Sequence, residues 1–121
     1  MAKKILLIED DPKILHLERA ILTGVGFAVD TASRGREAIE KLTTTEYDAI
    51  VLDIVMPEMD GYEIARRIRQ LDTNQHTPVI MVTALSETDA MRQAFGAGAV
   101  VFLKKPFTAE AFRSAVRSVV R

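Results

Sequence analysis

The sequence predicts an α/β fold in which one doubly wound sheet of five parallel strands carries helices on both faces. Three observations lead there. Five short apolar runs are spaced along the 121 residues. Amphipathic stretches at helical spacing separate them. Helix-start signals fall shortly after several of the runs. Strictly alternating strands and helices imply a parallel sheet, and its crossovers are right-handed almost without exception.

The elements follow in order. Ile5–Ile8 is the first strand, apolar without alternation, as expected when both faces are covered. Asp11–Pro12 places an N-cap before a first-turn proline. The stripe Ile14, Leu17 and Ile21 marks the helix behind it, and Gly24 and Gly26 end it. Phe27–Thr31 is the second strand and Ala49–Leu52 the third. Asp60 with Glu63 resembles a capping box opening a helix whose stripe is Ile64, Ala65 and Ile68. Val79–Val82 is the fourth strand, followed by a similar Ser86 and Asp89 pair. Val100–Leu103 is the fifth. Thr108 caps a last helix with the stripe Phe112, Ala115, Val116 and Val119. No linker or internal repeat divides the chain, so residues 1–121 read as one domain.

Composition narrows the function. Apolar residues make up 48 % and charged residues 27 %, with a formal net charge of −1. That balance disfavours a general affinity for nucleic acid or anionic membranes. There are no cysteines, which removes disulfides and thiolate metal sites and fits a reducing cytosol. The longest apolar run, Ala97–Leu103, is far shorter than the roughly 20 residues of a spanning helix. Glu9–Asp10–Asp11 interrupts the only segment resembling a signal peptide. A cytoplasmic location is the expectation.

In an open parallel sheet, ligands bind beyond the carboxyl ends of the strands. There the sequence sets Glu9, Asp10 and Asp11 after the first strand and Asp53 after the third. Thr83 and Ala84 follow the fourth, and Lys104, Lys105 and Pro106 follow the fifth. Clustered carboxylates repel unless a cation lies among them. Oxygen-only donors in a partly open site suit Mg²⁺. A carboxylate can attack a phosphoryl group to give an aspartyl-phosphate. The transfer needs mainly positioning and neutralised charge, which a metal ion and a lysine supply. Each residue also has a plainer reading. Asp11 is better read as the N-cap, and an acid before a helix often only complements its dipole. A threonine at a strand end or a surface lysine says little alone; the combination in chain order carries the argument.

These residues resemble the response-regulator receiver family of two-component, His-Asp phosphorelay signalling. The resemblance runs through Ile8–Glu9–Asp10, Leu52–Asp53, Met56–Pro57, Asp60–Gly61, Thr83–Ala84, Gly98–Ala99, Phe102 and Lys105–Pro106–Phe107, over essentially the whole chain. It implies a flavodoxin-like sheet in the order 2-1-3-4-5. It implies that Asp53 is the phosphoacceptor. Mg²⁺ would be held directly by Asp10 and Asp53, through water by Glu9, and by the backbone carbonyl of Val55. Thr83 would grip the phosphoryl group and Lys105 would pair with it, across a cis Lys105–Pro106 bond. Thr83 and Phe102 would form the switch, reshaping the face of the fourth helix, fifth strand and fifth helix. The implied partners are a sensor histidine kinase or His phosphotransfer protein upstream and an effector protein or domain downstream. Neither nucleic acid nor membrane is an implied partner of the domain itself. It would not be an enzyme beyond its own phosphorylation and dephosphorylation.

Departures from the family pattern are informative. Val100 and Val101 stand where many receivers carry two acids. This makes a salt-bridged dimer on that face doubtful and leaves the face unusually apolar. Val55 and Leu85, two positions beyond Asp53 and Thr83, cannot orient a water, so slow self-dephosphorylation is expected. Arg113, Arg117 and Arg121 form a solvated basic stripe, and His16 and His76 are isolated. Other readings are weaker. A haloacid-dehalogenase-type phosphohydrolase needs a second acid where Val55 stands. A flavin module needs a phosphate loop free of acids after the first strand. A non-phosphorylated receiver-like interaction module would be expected to lack a site residue, and none is missing.

Overall fold

The computed structural model describes residues 2–85 and 88–120. Its order is β1 (Lys4–Ile8), α1 (Pro12–Gly24), β2 (Ala28–Ala32), α2 (Gly35–Thr44), β3 (Ala49–Asp53), α3 (Gly61–Ile68), β4 (Val79–Thr83), α4 (Thr88–Gly96), β5 (Val101–Lys104) and α5 (Ala109–Val119). The strands form one sheet in the order β2-β1-β3-β4-β5, every pairing parallel. Both agree with the expected architecture. β2 and β5 each begin one residue later than their apolar runs, while β3 and β4 run on to include Asp53 and Thr83.

Successive strand residues point to opposite faces. One face carries Leu6, Ile8, Ile50, Leu52, Val79 and Met81, in one cluster with Ala38, Leu42, Ile64, Ala65 and Ile68 from α2 and α3 and Ala94 from α4. The other carries Ile5, Leu7, Ala49, Val51, Ile80 and Val82, in a second cluster with Leu22 of α1 and Phe112 and Val116 of α5.

Three expected caps form. The Asp11 carboxylate accepts from Lys13 N at 2.9 Å, with Pro12 behind it. Asp60 accepts from Glu63 N at 3.0 Å, and Thr108 Oγ1 from Ala111 N at 3.0 Å. The Ser86 and Asp89 pair cannot be compared, because Ser86 lies outside the described residues, as does Arg121. The inner face of α1 differs from the expected stripe. Leu17 is exposed, whereas Glu18 and Leu22 are buried and Leu15 packs on the core. The 3.6-residue period is right and Ile21 packs on the core as expected, but Leu17 does not, and the inward position between Leu15 and Leu22 is filled by an acid.

Candidate functional site

Strand parity builds the site. On β1 the series Ile5, Leu7 leads to Glu9. On β3 Ala49, Val51 leads to Asp53, and on β5 Val101, Leu103 leads to Lys105. All three side chains therefore leave the sheet edge on the α1–α5 side. Two backbone bonds prolong the ladder just past the strands, Glu9 N to Ala32 O at 3.0 Å and Lys105 N to Thr83 O at 2.7 Å.

The carboxylates of Glu9, Asp10 and Asp53 converge, with one oxygen of each within 4.8 Å of the others. Asp10 is exposed, while Glu9 and Asp53 are buried. Lys105 Nζ lies 2.6 Å from Glu9 Oε1 and 3.3 Å from Asp53 Oδ2. Lys104, the alternative lysine, is exposed. Glu9 Oε2 accepts from Asp11 N at 3.1 Å, and Asp53 Oδ1 from Val55 N at 3.3 Å. The Lys105–Pro106 peptide is cis.

The crowding shows in the electrostatics. Burial pushes the Glu9 carboxyl up to about 7, with Lys105 and the Asp11 amide opposing and Asp53 reinforcing the rise. Burial also works against the Lys105 ammonium, yet Glu9 and Asp53 hold its pKa above the ordinary lysine value. Three all-oxygen donors that repel one another, open to solvent through Asp10, fit a hard divalent cation with retained waters.

Thr83 is fully buried, and its Oγ1 accepts from Leu85 N at 3.2 Å. Phe102 pairs in register with Met81 and is half-buried against the α2–α3–α4 cluster, so Thr83 and Phe102 lie on the same side of the sheet. Val55 is 57 % exposed beside Asp53, and Leu85 is half-buried. Val100 precedes β5 and is exposed, as are His16 and His76.

Sequence reasoning passes over one buried acid near the site. Glu18 is 2 % exposed, and burial pushes its carboxyl up to about 8, with Glu9 and Asp53 adding to the rise and Lys105 opposing it. Its spacing is the available signal, three residues after Leu15 and four before Leu22.

The comparisons with known proteins settle the family. Residues 5–117 match the pattern described as the response regulator receiver domain. The chain belongs to the response-regulator receiver family. It is 38 % identical over 118 residues to the transcriptional regulatory protein ResD of Bacillus subtilis, covering 98 % of this chain and 48 % of that protein. It is 36 % identical over 117 residues to the transcriptional regulatory protein CrdR of Helicobacter pylori, covering 97 % of this chain and 54 % of that protein. The receiver chain thus spans about half the length of these curated relatives. Its structure is similar to the chemotaxis protein CheY4 of Vibrio cholerae, with a TM-score of 0.94 and 29 % identity over 99 % of this chain and 100 % of that one. It is also similar to the receiver domain of the sensor histidine kinase PA1611 of Pseudomonas aeruginosa, which has a magnesium ion coordinated in its active-site cleft. There the TM-score is 0.91 with 28 % identity over 98 % of both chains. As a receiver, the chain belongs with the receiver domains of two-component response regulators, which is consistent with a phosphorylation-dependent signalling switch. Among the described residues, no helix is long and apolar enough to cross a membrane.

Proposed function

We propose that Asp53 takes a phosphoryl group from a histidine kinase or His phosphotransfer protein in a Mg²⁺-dependent reaction. The observation that carries this is the convergence of Glu9, Asp10 and Asp53 within 4.8 Å, with Lys105 Nζ 3.3 Å from Asp53. Asp10, Asp53 and the Val55 carbonyl would hold the ion, with Glu9 acting through water. The ion supplies neutralisation of phosphoryl charge. Asp53 supplies the nucleophilic oxygen. Lys105 supplies a fixed cation for the product. The Thr83 hydroxyl accepts from Leu85 N and keeps its own proton to donate to a phosphoryl oxygen. Drawing Thr83 toward the new dianion opens space on the side where Phe102 packs, which biases the α4–β5–α5 face toward a downstream effector. All of residues 1–121 act as this one unit, and the setting is the cytoplasm.

The test is intact mass after incubation with a small phosphodonor, with Mg²⁺ and then with a chelator in its place. One phosphoryl group per chain with Mg²⁺, and none with the chelator, is the expected result. Turnover of many phosphoesters without an adduct would instead favour a phosphohydrolase.

The adduct is expected to be long-lived. The exposed Val55 side chain cannot direct a water at the phosphoryl group. Val55→Asn places a polar side chain there and should shorten the lifetime several-fold, followed as decay of the labelled protein. Equal decay rates would refute the role given to Val55.

A further inference from the structure

Glu18 is a buried carboxyl that the switch chemistry leaves unused. It is 2 % exposed on the inner face of α1. It forms no hydrogen bond or ion pair with any described residue. Burying a carboxyl costs desolvation, and a leucine there would pack with Leu15 and Leu22. Its position gives it a use. The α1–α5 side of the sheet is the side from which Glu9, Asp53 and Lys105 leave their strands. The α1 face that buries Glu18 together with Leu22 packs on that side, and all three groups act on the Glu18 carboxyl.

The site has a cation conflict. Lys105 Nζ now occupies Glu9 at 2.6 Å and Asp53 at 3.3 Å. A divalent ion held by Asp10 and Asp53, with Glu9 acting through water, would compete for Asp53 and repel the ammonium. A further acceptor nearby would then hold Lys105 beside the site, and a lysine stem is long and flexible enough to reach one. Among the described residues, Glu18 is a carboxyl on that side with no hydrogen bond or ion pair.

We propose that Glu18 is a positioning residue for Lys105, the carboxyl that receives the Lys105 ammonium while metal occupies the acid cluster, keeping it beside the site until the phosphoryl group arrives. This rests on the magnesium reading above. While no cation lies beside it, burial keeps the group neutral, with a pKa of about 8.

Calorimetric Mg²⁺ titrations near neutral pH, paired with thermal melts, provide the test. Glu18→Leu and Glu18→Gln should each weaken Mg²⁺ binding about tenfold, the size of a direct coupling between neighbouring groups. Glu18→Leu should at the same time raise the melting temperature, so a folding defect cannot explain weaker binding. In a Lys105→Met background, the Glu18 substitutions should no longer change Mg²⁺ affinity, since no ammonium needs a place. Unchanged or tighter Mg²⁺ binding by both Glu18 variants overturns the proposal. So does a loss that persists in the Lys105→Met background, because Glu18 would then act on the ion directly. A wild-type chain that binds no Mg²⁺ brings down the magnesium reading, and this inference with it.

Discussion

Asp53→Asn should remove the phosphoryl adduct completely, from one group per chain to none, while the protein stays folded. The amide is nearly the same shape but lacks the nucleophilic anionic oxygen, so no acyl-phosphate can form there. The fold should tolerate the change. Lys105 keeps its shorter bond to Glu9 at 2.6 Å, and one of three mutually repelling carboxylates becomes neutral. Stability should therefore be unchanged or raised by about 1 kcal/mol. Asp10→Asn is the informative contrast. It removes an exposed carboxylate from the proposed metal site but leaves the nucleophile, so the adduct should form more slowly rather than vanish. Intact mass over time distinguishes the two variants. An adduct persisting in Asp53→Asn would move the acceptor to Glu9 or Asp10 and end the assignment.

Much of the fold and most of the site follow local rules. Alternating apolar runs and helical stripes set the element order, because each rests on a period of two or 3.6 residues. The α3 stripe Ile64, Ala65 and Ile68 is fully buried, as its pattern demands. The strand-end positions of Asp53 and Lys105 need only the rule that parallel strands present their carboxyl ends together. What stays hidden depends on partners far along the chain, or on residues that break a rule. Glu18 fills an apolar slot, so a search for apolar stripes steps past it and settles on exposed Leu17. The α2 start carries Arg34 at the N-cap, and Glu37 instead accepts from Ser33 N at 2.8 Å. Asn74 is buried at 1 % exposure. It donates to Leu42 O at 2.6 Å and accepts from Tyr47 N at 3.0 Å. Arg69, at the C-cap of α3, donates to Gln75 O at 2.6 Å and Thr77 O at 2.9 Å, and its side chain lies against Gly98. Neither connection leaves a mark within a window of local sequence.

Gly61→Ala should destabilise the protein and slow phosphorylation, against the direction that helix propensity favours. Gly61 is the first residue of α3, where alanine gains at most about 1 kcal/mol. Space decides the sign. A Cβ at Gly61 would lie 2.5 Å from Asp53 O and 2.8 Å from Ile54 Cα. Both contacts are backbone, so no side-chain rotation relieves them. The same close approach lets Gly61 N donate to Ile54 O at 2.8 Å and seats α3 against the end of β3. Opening that junction should cost about 3 kcal/mol, the upper range for overpacking, and lower the melting temperature by roughly 10 °C. The displaced atoms belong to Asp53 and its neighbour, so the carboxylate shifts relative to Lys105, and phosphorylation by a small phosphodonor should slow with the loss of stability. Gly24→Ala supplies the internal reference. That glycine also lies in a helix, and a Cβ there would meet nothing within 4 Å, so the substitution should be neutral or slightly stabilising. If Gly61→Ala melts no lower than Gly24→Ala, the packing of α3 does not set the position of Asp53. The Asp60–Gly61 pair would then matter only for its cap.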